Sequence, residues 1–82
     1  VVKAGKTGTS RQLFSNSEIN SLLGVSNSSN GNTAIAVSNG DGAATSVHVE
    51  GCTYQNGAWH AVFNTNIGSV PIRINYIITY WG

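Results

Sequence analysis

The chain has 82 residues, four Lys/Arg against three Asp/Glu, and only 9% charged residues, where a soluble domain typically has about 25%. A net charge of +1 cannot neutralise the phosphates of a nucleic-acid site or hold an anionic membrane surface, and 40% apolar residues in patterned runs exclude disorder. A domain this small buries roughly 60–65% of its unfolded surface, so self-association or a longer parent chain would help to stabilise it.

Ten Gly, ten Ser, ten Asn and seven Thr stand in for the missing charge. The surface is therefore solubilised by neutral hydroxyls and amides, groups suited to sugars and to turn-rich extracellular β-structure. Cys52 is the only cysteine, which excludes an internal disulfide and a multi-thiolate metal site. No apolar run approaches the ~18 residues of a membrane span, and residues from Val1 onward lack the apolar core of a signal peptide. The start at Val, and an end at Trp81-Gly82 directly after a patterned strand, read as the C-terminal piece of a longer protein.

In chain order, residues 1–12 form a lead-in, with a short strand at Val1-Val2 and a loop around Gly5, Lys6 and Gly8. Ser15 and Glu18 have capping-box spacing, Phe14 and Ile19 make the matching hydrophobic staple, and Gly24 is placed to stop the helix. The result is a two-turn helix with Ile19, Leu22 and Leu23 on one packed face. A polar connector, Ser26 to Asn32, leads to a strand over Thr33–Ser38 that ends at Asn39-Gly40-Asp41-Gly42.

Alternation resumes from Ser46 to Tyr54, breaks at Gln55-Asn56-Gly57 and resumes from Ala58 to Asn64, which is a β-hairpin. A two-residue Asn56-Gly57 loop would oppose Val49 with Asn64. A three-residue loop with Gly57 as a bulge pairs Val49 with Phe63, Gly51 with Ala61 and Thr53 with Trp59. This register puts Val47, Val49, Phe63, Ala61 and Trp59 on one face and His48, Glu50, Cys52, Tyr54, His60 and Val62 on the other. The closing strand, Pro71 to Trp81, points Ile72, Ile74, Tyr76, Ile78 and Tyr80 one way and Arg73, Asn75, Ile77, Thr79 and Trp81 the other. Apolar residues on both faces call for cover on both sides, and the second cover is expected to be another subunit.

Lys6-Thr7-Gly8 matches one motif of the serine β-lactamases and penicillin-binding proteins, but Ser-x-x-Lys is absent and loop chemistry explains it. His48, Glu50, Cys52 and His60 share the outer face in this register. A metal is geometrically conceivable there, but interface hydrogen bonding at His48 and Glu50 accounts for the pattern, and no metal or cofactor is expected. Glu18 is taken by the helix cap, which leaves Asp41 in a glycine turn and Glu50 as a poor acid–base pair, so the reading is non-enzymatic. Candidate ligand contacts are the aromatics Tyr54 and Trp59 with their neighbours Asn56 and His60, and the turn residues Asn39 and Asp41. Ile77, Trp81, His48 and Glu50 are the candidate oligomer interface.

The order of Ile19-Asn20-Ser21-Leu22-Leu23-Gly24-Val25, Val37-Ser38-Asn39-Gly40-Asp41-Gly42, the Tyr54–Phe63 hairpin and Ile72-Arg73-Ile74-Asn75-Tyr76-Ile77-Ile78 resembles the C-terminal ends of bacteriophage and prophage tail-fibre and receptor-binding proteins. The resemblance covers residues 13 to 82. It implies a compact antiparallel β-sandwich tip with one short helix, a homotrimer on the virion tail outside the cell, that binds a bacterial surface saccharide. The other readings are a structural trimerisation cap without a ligand and a carbohydrate-binding module appended to an enzyme.

Overall fold

The computed structural model describes residues 2–3, 10–40, 48–64 and 72–82. The expectations placed on Lys6-Thr7-Gly8, Asp41, Val47 and Pro71 lie outside them. The elements follow as β1 (Val2–Lys3), β2 (Ser10–Ser15), α1 (Asn16–Leu23), β3 (Thr33–Asn39), β4 (Val49–Gln55), β5 (Ala58–Phe63) and β6 (Ile72–Tyr80). They form two three-stranded antiparallel sheets, ordered β1-β6-β3 and β2-β5-β4. The expected mainly β architecture with one short helix is the one the chain adopts.

One core serves both sheets. Leu13, Phe14, Trp59, Ala61 and Phe63 come from β2 and β5, Ile35 and Ile74 from β3 and β6, and Ile19 from the helix. Phe14 stacks obliquely on Tyr76 at 5.0 Å between ring centroids, which links β2 to β6 across the two layers. Such an aromatic pair is worth about 0.5–1.5 kcal/mol beyond its buried area.

The helix forms as its local chemistry dictates. Ser15 Oγ accepts from Glu18 N at 3.2 Å, and Glu18 Oε1 accepts from Ser15 N at 2.9 Å, so each side chain satisfies a donor that the helix start would otherwise leave open. Gly24 takes the left-handed conformation, φ 71°, and donates to Asn20 O at 2.9 Å. The packed face is narrower than expected. Ile19 is fully buried, whereas Leu22 and Leu23 are exposed in this eight-residue helix.

Strand β2 is the element that the sequence pattern hides. It pairs with β5 from Ser10↔Val62 to Ser15↔Ala58, with Leu13 inserted as a bulge. A boundary after residue 12 therefore cuts through a core strand. Arg11 disguises it: the side chain lies opposite Ala61 on the core side, is 95% buried (5% exposed), and burial lowers the guanidinium's pKa, though an Arg remains charged.

The hairpin register also differs from the expected one. Asn56 and Gly57 both have positive φ, 52° and 75°, and Gln55 pairs with Ala58. That is a two-residue type I′ turn, whose twist matches the flanking strands. Tyr54 consequently faces Trp59, and Cys52 faces Ala61, instead of Thr53 and Gly51. A bulge between Val49 and Gly51 then restores the expected Val49↔Phe63 pair. Strict alternation cannot carry that reading, because the extra residue, Glu50, resets the period within the strand.

Two outcomes test these elements in chemical denaturation. Ser15→Ala removes the cap and lowers stability by about 1 kcal/mol. Gly57→Val forces a β-branched residue to φ 75° and costs about 1–3 kcal/mol; unchanged stability of either variant contradicts the corresponding assignment.

Candidate functional site

Sheet β1-β6-β3 has an apolar inner face and an outer face on which Ile77 and Trp81 stand among small and polar residues. Strand β3 runs antiparallel to β6 from Thr33↔Tyr80 to Asn39↔Ile74. Thr33, Ile35, Val37, Ile74 and Ile78 point inward and are buried or half-buried. Ala34, Ala36 and Ser38 point outward beside Thr79, Ile77 and Asn75. At the end of this outer row stands Trp81, anchored through its N–H to Asn32 O at 3.0 Å. Ile77 is 67% exposed and Trp81 61%. A shallow depression of about 230 Å³ lies between the strands, lined by Ala36, Ser38, Asn75 and Ile77 among others. No charged side chain occurs from Asn75 to Trp81.

Two of the expected interface residues, Ile77 and Trp81, thus share this face. The other two do not. Glu50 is the exposed bulge residue of β4, and His48 precedes β4, where its N–H donates to Asn64 Oδ1 at 2.8 Å. Both belong to the other sheet.

The expected ligand contacts do not converge. Tyr54, placed on the outer face by the three-residue loop, is turned inward by the two-residue turn. It packs edge-on against Trp59 at 5.1 Å, and its Oη accepts from Asn16 Nδ2 at 2.7 Å. Trp59 is 8% exposed. These rings pack the core and are not presented for stacking on a sugar. Asn56 is exposed at the hairpin tip, and His60 lies on the opposite side of its sheet between Gln12 and Thr53. Asn39 braces the far end of β4: its Oδ1 accepts from Val49 N at 2.8 Å, and its carbonyl accepts from Asn75 Nδ2 at 3.1 Å.

Cys52 and His60, expected to share the outer face, lie on opposite faces for the same reason. Among the described residues no three His, Cys, Asp or Glu side chains group as a metal site. Cys52 is half-buried against the core, and this burial pushes its thiol pKa up. A second open depression, about 340 Å³, lies on the helix and is lined by Phe14, Glu18, Ser21 and Leu22; its lining includes a carboxylate already committed to the cap.

No protein-family model, curated protein or solved structure matches the chain. What the molecule does must be read from this geometry.

Residues that the sequence reading passed over are Ala34 and Ala36. The signal was present, since they alternate with Ile35 and Val37 and make β3, like β6, apolar on both faces.

Tyr54→Phe removes one hydrogen bond and lowers stability by about 0.5–1.5 kcal/mol, while Tyr54→Ala also strips the half-buried ring from Trp59 and costs more than Tyr54→Phe, though less than the ~3–5 kcal/mol of a fully buried aromatic. Equal stability of Tyr54→Ala and wild type contradicts the inward placement. At pH 7.5 Cys52 reacts with iodoacetamide more slowly than a free thiol does, because the raised pKa leaves less thiolate; a rate equal to that of glutathione contradicts it.

Proposed function

We propose that this chain is a non-enzymatic assembly module that associates with copies of itself through the outer face of β3 and β6, serving as the end cap of a fibre of the phage-tail kind. The observation that carries the reading is the exposure of Ile77 and Trp81 on the outer face of β6, beside Ala34 and Ala36 of β3, in a stretch without charge from Asn75 to Trp81. A small domain with both faces of its longest strand apolar has the chemistry of an interface, since contiguous exposed apolar area marks docking sites. Burying Ile77 fully would contribute about 1.5–3 kcal/mol per copy.

The fibre setting comes from the resemblance of residues 13–82 to tail-fibre tips, which also implies display outside the cell. Recognition of a bacterial surface saccharide is the second reading. It is favoured by the abundance of exposed amides and hydroxyls, Asn56 at the hairpin tip among them, but the aromatic platform it would use is absorbed into the core.

Sedimentation equilibrium separates these readings from a solitary domain. The wild-type protein associates, and Ile77→Asp, whose side chain is exposed in the single chain, folds normally but stays monomeric because a buried unpaired carboxylate is prohibitive at the contact. A wild-type monomer at all concentrations overturns the assembly reading. Glycan-array binding that Ile77→Asp leaves intact would shift the function to the saccharide.

A further inference from the structure

The sequence contains three Asn-Gly pairs, Asn30-Gly31, Asn39-Gly40 and Asn56-Gly57. Such a pair carries a latent reaction. The backbone nitrogen that follows the asparagine can attack the side-chain carboxamide, and glycine, having no Cβ, hinders that approach least. What differs among the three is how tightly the fold holds the two reacting groups.

Asn39 is held at both. Its Oδ1 accepts from Val49 N at 2.8 Å, and the nitrogen that would attack, Gly40 N, donates to Arg73 O at 3.0 Å. Gly40 also lies so close to the neighbouring strand that a Cβ placed on it would come within 2.6 Å of Arg73 O, which leaves the backbone little room to turn. Asn30 is exposed, but Gly31 N donates to Ser29 Oγ at 3.2 Å. At the hairpin tip neither group is engaged: among the described residues nothing bonds the exposed Asn56 side chain or Gly57 N. The space is open as well, since a Cβ on Gly57 would meet only Asn16 Nδ2, at 4.0 Å. Among the described residues Asn56 is also the one non-glycine with positive φ, 52°, a conformation that an L-residue holds at a cost.

We propose that Asn56-Gly57 is a self-modification site, at which the chain converts its own hairpin tip from amide to carboxylate. Gly57 N attacks Asn56 Cγ; the N–Cγ bond forms, the Cγ–Nδ2 bond breaks, and Nδ2 leaves as ammonia with the proton of Gly57 N. Solvent water then opens the cyclic imide, its hydroxyl adding to one of the two imide carbonyls and its proton returning to the nitrogen. Opening at Cγ gives an aspartate. Opening at the backbone carbonyl leaves the chain running through Cβ and Cγ, an isoaspartate. To reach the attack geometry Asn56 rotates out of the left-handed turn, which requires only the last rung, Gln55↔Ala58, to open, and such chain ends and loop tips open at the lowest free energy.

The two products differ in consequence. Aspartate before glycine suits a type I′ turn as asparagine does, so the hairpin stands with a carboxylate at its tip. Isoaspartate adds a methylene to a two-residue loop that has no slack. Gly57 O then loses its place beside Asn16 N, the 3.0 Å bond that ties the tip to the first residue of the helix. A slow chemical change is thereby coupled to the joint between hairpin and helix.

The experiment incubates the full chain at mildly alkaline pH, native and in urea, and follows the three sites by peptide mapping with mass spectrometry, isoaspartate being counted with an isoaspartate-specific methyltransferase. In urea the three sites convert at closely similar rates, since the dipeptide is the same. In the native chain Asn56 converts at least tenfold faster than Asn39, with Asn30 between them, and the isoaspartate form melts at a lower temperature than the Asn56→Asp variant, which keeps wild-type stability. Native conversion of Asn39 or Asn30 as fast as that of Asn56 overturns the proposal, and so does an Asn56 that stays intact natively while all three convert in urea. An isoaspartate form as stable as Asn56→Asp overturns the coupling to the helix. Self-association of the chain is read separately, by sedimentation, and its failure leaves this site untouched.

Discussion

Strand β6 is covered on its inner face, and among the described residues its outer face leaves Ile77 and Trp81 exposed. Its inner residues Ile74 and Ile78 pack against Ile35 and the core, and Phe14 reaches Tyr76 from the second sheet. The rest of the architecture serves that inner face: β3 flanks it, β2 and β5 lie over it, and the helix seals the end of the layer with Ile19. Nothing among the described residues is left to cover Ile77 and Trp81. Under the assembly reading proposed above, this uncovered strip is the surface through which copies associate.

A chain of hydrogen bonds fixes the geometry of the inner layer. Gly57 at the hairpin tip accepts from Asn16 N at 3.0 Å, Tyr54 accepts from the Asn16 side chain, and Ser28 Oγ donates to Asn16 O at 3.1 Å. Asn20 Oδ1 receives Ser28 N at 3.0 Å. Neutral amides and hydroxyls thus do the work that ion pairs do elsewhere, which is how a chain with 9% charged residues can join a helix, a hairpin and a loop. It also removes several Asn and Ser side chains from the surface that a saccharide would meet.

Local chemistry was legible in the sequence wherever it was self-contained. Ser15, Glu18 and Gly24 define a helix through contacts within four residues of one another, and the doubly apolar β6 is visible from alternation alone. What failed depended on one extra residue. The insertion of Glu50 into β4 lets an Asn56-Gly57 two-residue turn coexist with the Val49↔Phe63 pair, a combination that unbroken alternation forbids. The error moved Tyr54 and Cys52 to the wrong face and assembled a polar cluster that the fold separates. Strand β2 was hidden in another way, because a buried Arg11 next to Gln12 looks like loop until β5 is placed beside it.

The two tryptophans offer a direct test of the uncovered face. Trp59 is buried and Trp81 exposed in the single chain, so fluorine NMR of protein labelled with 5-fluorotryptophan carries an internal core reference beside the reporter. The account predicts that on concentration the Trp81 resonance shifts and loses its solvent isotope effect while the Trp59 resonance stays constant. A Trp81 resonance that keeps its full solvent isotope effect at millimolar protein would contradict the claim that the outer face of β6 is built to be covered.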